Sequence, residues 1–94
     1  MRLVPASELP VAELAELFTA GYEGYFAPMR VDEAALASMI DAWDIDLGRS
    51  RVALEGDERL GIANLAVRGD RSWIGGIGVV PEARRRGIAR ALME

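Results

Sequence analysis

The stretch Ile77-Gly78-Val79-Val80-Pro81-Glu82-Ala83-Arg84-Arg85-Arg86-Gly87-Ile88-Ala89 changes its hydrophobic period partway along. Up to Val80 it reads as a strand, which Pro81 ends because proline cannot donate to a ladder. Beyond it, Ile88, Ala91 and Leu92 share a helical face, with Arg86 and Arg90 one turn apart away from it, which predicts a helix over residues 83–94. A strand feeding through a turn into a helix favours anions at the junction. The first helical amides lack carbonyl partners, and the helix dipole adds partial positive charge there. Gly87 and Ala89 are small enough for a diphosphate to approach the main chain, and three consecutive arginines add long-range attraction. An arginine triplet alone reads better as a solvated face, and it is the glycine-rich strand and the small residues around it that favour a ligand site.

Two other phosphate loops are excluded. Gly76-x-Gly78 followed by Pro81 departs from the G-x-G-x-x-G dinucleotide pattern, and the P-loop needs a lysine that this chain lacks.

Working back from this stretch, Ser72 to Val80 reads as a strand preceded by the turn Gly69-Asp70. Residues 51–55 and 59–67, joined through Gly56-Asp57-Glu58, read as an antiparallel pair. Earlier the period is helical. Leu36, Met39, Ile40 and Trp43 form a stripe behind Asp32, a good N-cap, and Val11, Leu14, Leu17 and Phe18 form another that ends near Gly21, with Ser7 as its expected cap. Leu3-Val4, stopped by Pro5, is an expected edge strand. The order is therefore β-α-α-β-β-β-α, an α+β fold with a mostly antiparallel sheet. Between the helices, residues 22–29 hold Tyr22, Tyr25 and Phe26, three of the six aromatic residues.

At 94 residues the chain is one small domain, and 51% hydrophobic with 28% charged residues is the composition of a folded protein. It has no Cys, no His and no Lys, so all 11 basic residues are Arg. Thiol nucleophiles, imidazole bases, Schiff-base lysines, disulfides and Cys/His zinc sites are thereby excluded, and no metal is expected. The N-terminus lacks the apolar core of a signal peptide and no stretch is apolar enough to span a membrane, so a soluble cytoplasmic protein without membrane contact is expected. Residues 1–50 carry three Arg against nine acids, and residues 51–94 eight Arg against six. An acidic front half argues against nucleic acid as a partner, while a local anion site near residue 87 remains compatible with it.

Arg84-x-x-Gly87-x-Ala89, placed after Val79-Val80-Pro81 and behind this succession of elements, resembles the Q/R-x-x-G-x-G/A signature of the GNAT superfamily of acyl-CoA-dependent N-acyltransferases. The resemblance covers the whole chain and implies a three-layer fold with acetyl-CoA as cosubstrate. It implies further that main-chain groups of Ile77, Gly78 and Val79 line the pantetheine arm, and that amides of Arg85, Arg86, Gly87, Ile88, Ala89 and Arg90 cradle the pyrophosphate. Arg84 takes the first signature position, and Ala89 is an allowed replacement for the commoner glycine. The implied reaction is direct attack of a primary amine on the acetyl thioester without a covalent enzyme intermediate, which suits a chain lacking Cys, His and Lys. The strand that often supplies a carboxylate base in the family reads Trp73-Ile74-Gly75-Gly76-Ile77-Gly78 here, which leaves the base unassigned.

The acceptor, a small-molecule or peptide amine, is expected near Tyr22, Glu23, Tyr25 and Phe26, with Glu23 or Asp32 as an attracting charge; packing of these rings on the sheet edge is the plainer alternative. No terminating glycine or proline follows the last helix, so the fold is expected to be truncated after the start of the third helix, with self-association or a partner chain supplying the missing C-terminal half of the cofactor cleft. The alternatives to acetyl transfer are a non-catalytic module for CoA or another phosphorylated ligand, and an interaction domain assembling through its open sheet edge.

Overall fold

The computed structural model describes residues 1–21 and 31–93. Strand β1 (Arg2–Pro5) leads through a 3-10 turn (Ala6–Glu8) into helices α1 (Val11–Gly21) and α2 (Glu33–Ala42). Strands β2 (Arg51–Glu55), β3 (Glu58–Arg68) and β4 (Arg71–Val79) follow, then a second 3-10 turn (Pro81–Ala83) and helix α3 (Ile88–Met93). The sheet runs β1-β2-β3-β4 with every pairing antiparallel, so β1 and β4 are its edges. This is the α+β order that the periodicity predicts.

Strand alternation distributes the helices over both faces. Gly78, paired with Ile62, faces Gly21 of α1, whereas Gly61, paired with Val79, faces Leu92 of α3. Helix α1, with α2 packed on it, therefore covers one face and α3 covers part of the other, giving three layers. Leu14, Leu17 and Phe18 of α1, Leu36 of α2, and Val52 and Ile62 of the sheet are buried, and the core continues to Ala53, Ile88 and Leu92. On the outer side of α1, Glu13 and Glu16 each lie 3.7 Å from Arg59.

The helix ends separate what local chemistry decides from what it does not. Asp32 caps α2 as expected, its Oδ1 accepting from the Ala35 N–H at 2.7 Å. Ser7 does not cap α1. It sits in the 3-10 turn, and the helix starts behind Pro10, whose carbonyl accepts from Glu13 and Leu14. The residue before a proline is pushed out of the helical region, and Leu9 is indeed extended (φ −111°, ψ 146°), so no helix runs through it.

The last helix is also shorter than its periodicity predicts. It begins at Ile88 and not at residue 83, because Arg85 (φ 66°) and Gly87 (φ 76°) are left-handed and a right-handed helix cannot include them.

The register shifts twice: Leu60 is the extra residue between Gly61, opposite Ala53, and Arg59, opposite Leu54, and a second shift lies between β3 and β4. The β3–β4 register shifts between Asn64, opposite Gly76, and Leu65, opposite Ile74, leaving Gly75 as the extra residue of a bulge. Asn64 itself is 1% exposed, and its Nδ2 has no hydrogen-bond partner among the described residues. Ser50, the other buried polar residue among those described, contrasts with it. Its Oγ donates to Asp46 O at 2.8 Å and accepts from Leu65 N–H at 2.9 Å.

A buried amide without a partner costs about 1–3 kcal/mol. Asn64→Leu, similar in size and free of polar atoms, is expected to raise the thermal midpoint by roughly 4–8 °C, the shift that about 1 kcal/mol produces in a domain this small. Scanning calorimetry checks this, and a lowered midpoint would mean that Asn64 is satisfied in solution.

Candidate functional site

The site is built where β4 ends and the chain turns toward α3. Val80 N–H donates to Leu60 O at 2.9 Å, which makes Gly61 and Val79 a non-hydrogen-bonded pair of the ladder. Because the two kinds of pair alternate, Gly78 turns its main-chain groups to Ile62 of β3, while Ile77 and Val79 turn theirs to the open edge. Gly78 instead supplies closeness. A Cβ on Gly21 would lie 2.9 Å from both Cα and C of Gly78, so the end of α1 rests directly on the strand.

Arg84 binds this junction together. Its Nε donates to Val79 O at 3.0 Å and its Nη2 to Gly21 O at 3.0 Å, so the guanidinium reaches the last residue of β4 and the last residue of α1. The carbonyl end of a helix is a favourable place for a cation.

From Arg84 onward the backbone alternates in hand. Arg84 has φ −67°, Arg85 φ 66° and Gly87 φ 76°. Arg84 is extended (ψ 154°), and the left-handed Arg85 and Gly87 after it make a turn, a conformation in which successive N–H groups can form an anion-binding concavity. A left-handed conformation at a residue with a Cβ costs about 1–2 kcal/mol, which Arg85 bears. Nothing lies within 4 Å of where a Cβ on Gly87 would sit, so glycine serves the conformation there and leaves open space above it.

The main-chain N–H groups of Gly87, Ile88, Ala89 and Arg90 meet no acceptor among the described residues; the next one, Ala91 N–H, closes the first turn of α3 on Gly87 O at 3.0 Å. Ile88 is buried and anchors the turn in the core, whereas Arg85, Arg86, Gly87, Ala89 and Arg90 are exposed. Arg86 pairs with Glu55 at the end of β2, Nη2 to Oε2 at 2.6 Å. Arg85 and Arg90 have no ion pair among the described residues, which leaves the concavity with positive charge that no described carboxylate offsets.

The structure thus brings Ile77, Gly78, Val79 and residues 84–90 to one end of the sheet. Tyr22, Glu23, Tyr25 and Phe26 lie outside the described residues. Asp32 is engaged as the cap of α2. Strand β4 carries no Asp or Glu along its length.

Sequence reasoning missed the bulge at Gly75, for which the doublet Gly75-Gly76 was the available signal. It also missed Gly21, which marks a close approach as well as a helix end. Among the described residues no helix is long and apolar enough to cross a membrane, and no group of three acidic side chains is placed to hold a metal ion.

Comparison with known proteins gives one finding. The sequence profile of the acetyltransferase (GNAT) family matches residues 11–94. Searches of curated proteins and of solved structures returned no match to this chain.

Proposed function

The chain belongs to the GNAT acetyltransferase family, and on that footing we propose that it binds acetyl-CoA through residues 77–90 and takes part in acetyl transfer to a primary amine. One observation carries the reading. Beside Arg85 and Arg90, four successive N–H groups, Gly87 to Arg90, meet no acceptor among the described residues, at the end of a strand that is the sheet's edge among those residues. A diphosphate brings oxygens that accept such bonds, and charge-assisted bonds of this type are about twice as strong as neutral ones. The space above Gly87 suits its bulk.

When bound, acetyl-CoA supplies an acetyl group activated as a thioester. The chain's own part is to hold and orient it. The N–H groups of residues 87–90 would take the diphosphate, and Arg85 and Arg90 would steer it in. The main-chain groups of Ile77 and the N–H of Val79 are the ones available to pair with the pantetheine arm as an added strand would. Arg86, held by Glu55, contributes its amide and a partly neutralised charge. Tyr22, Glu23, Tyr25 and Phe26 are proposed to meet a small-molecule or peptide amine, on the sequence alone. No residue is assigned as base.

The lack of a carboxylate on β4 favours a second reading, CoA binding without transfer.

Calorimetric titration with CoA and, in parallel, with pantetheine tests the proposal. CoA is expected to bind saturably, with an affinity that falls as salt rises, and pantetheine not to bind at the same concentration, because it lacks the diphosphate. Absence of CoA binding would refute the reading. Release of thiol from acetyl-CoA in the presence of amines distinguishes transfer from binding alone.

A further inference from the structure

We infer that Arg84 is a positioning residue, a clamp that sets the diphosphate concavity by tying its first residue to the ends of α1 and β4. The inference rests on the proposed function for its effect on ligand affinity, and on the fold alone for its effect on the loop. Arg84 holds the first position of the family signature, and that resemblance places it with the cofactor-binding residues. In the fold its guanidinium turns inward, onto Val79 O and Gly21 O, both at 3.0 Å, while Arg85 and Arg86 are exposed.

The two carbonyls belong to different elements and share a need. Val79 O faces away from β3 at the edge of the sheet, and Gly21 O is the last carbonyl of a helix, for which the helix itself holds no donor. They are close because Gly21 and Gly78 bring their backbones into contact. One planar guanidinium satisfies both, with donors fixed in two directions, which a lysine ammonium on its flexible stem does not reproduce.

The consequence falls on the next residues. Arg84 N–H also donates to Pro81 O at 3.3 Å, so the residue is held by main chain and side chain together. The left-handed Arg85 follows it directly. A backbone conformation that costs about 1–2 kcal/mol persists only where its surroundings impose it, and the clamp is the imposing contact here. The concavity is therefore assembled on α1 and β4 jointly and is not a property of residues 85–90 alone.

Arg84→Met, Arg84→Gln and Arg84→Lys in the full chain test this with two readouts. The first needs no ligand. Backbone order parameters of Arg85, Arg86 and Gly87 are expected to fall from the rigid value of about 0.85 toward 0.6 in Arg84→Met and to stay higher in Arg84→Gln, whose neutral amide still donates. Unchanged values in Arg84→Met would overturn the clamp.

The second readout is CoA affinity by calorimetry, expected to drop about tenfold or more in Arg84→Met, to recover in part in Arg84→Gln and to recover less in Arg84→Lys. Full recovery by Lys with none by Gln would show that the residue acts by charge on the ligand and would overturn the inference. Should the Met variant not fold, the Gln and Lys variants decide by the same two measurements. If the wild-type chain binds no CoA, the proposed function falls and the order parameters still judge the clamp.

Discussion

Gly87→Glu is expected to lower CoA affinity by at least about a hundredfold while leaving the domain folded. The position has φ 76° and nothing within 4 Å of an added Cβ, so the substitution meets no steric barrier and carries only conformational strain. That strain is about 1–2 kcal/mol, enough to lower the thermal midpoint by roughly 4–16 °C in a domain of this size. The larger effect is on the ligand. A carboxylate beside the unpaired N–H groups of residues 87–90 offers them an internal acceptor and sets negative charge against the incoming diphosphate.

Gly87→Ala separates the two contributions, since it carries the same strain without the charge. It is expected to melt close to Gly87→Glu and to bind CoA far better. Calorimetric titration beside a melting curve reads both. A Gly87→Glu chain that is folded and binds CoA like the wild type would remove the concavity from the argument.

Gly21→Val is expected to be the most damaging single change in stability among the described residues considered. Helix propensity alone predicts the opposite sign, because valine is a better helix former than glycine. Packing reverses it. A Cβ at Gly21 would lie 2.9 Å from Gly78 Cα and C, which are backbone atoms of a strand already paired to β3 and cannot rotate away. Helix α1 must lift from β4, and overpacking of this kind costs about 1–3 kcal/mol or more, a fall in midpoint of roughly 4–24 °C or more.

The displacement also carries Gly21 O away from Arg84, so CoA binding is expected to weaken even at temperatures where the variant remains folded. A midpoint equal to or above that of the wild type would show that α1 and β4 do not meet as closely as described.

These two glycines mark how far the sequence can be read. Gly87 is legible because its role is local: it stands between a strand that Pro81 ends and a helical face begun by Ile88, inside a six-residue pattern. Gly21 is legible only as a helix end. Its contact with Gly78 joins residues remote in the chain, and no window of a few residues contains both.

The sequence by itself determined the order of elements, the two hairpins, the Asp32 cap, the buried face of α1 and the chemistry that the absence of Cys, His and Lys excludes. All of these follow from periodicity, turn residues and side-chain inventory, which act over one or two turns of chain. The start of α1, expected behind Ser7 and found behind Pro10, is a miss of the same local kind, since the rule by which Pro10 outweighs Ser7 is confined to neighbouring residues. Of the expected α2 stripe, Leu36 is buried, Met39 and Ile40 are half-buried, and Trp43 lies past the helix end and is exposed.

The tertiary structure decided the direction of Arg84, the late start of α3, the bulge at Gly75 and the unpartnered amide of Asn64. Each depends on what another element presents. The bond from Arg84 to Gly21 O spans 63 residues, and until α1 is seated on β4 there is no carbonyl for that guanidinium to find. Local preference leaves residues 83–86 free to continue a helix; the bonds of the Arg84 guanidinium to Val79 O and to the remote Gly21 O hold them in a loop.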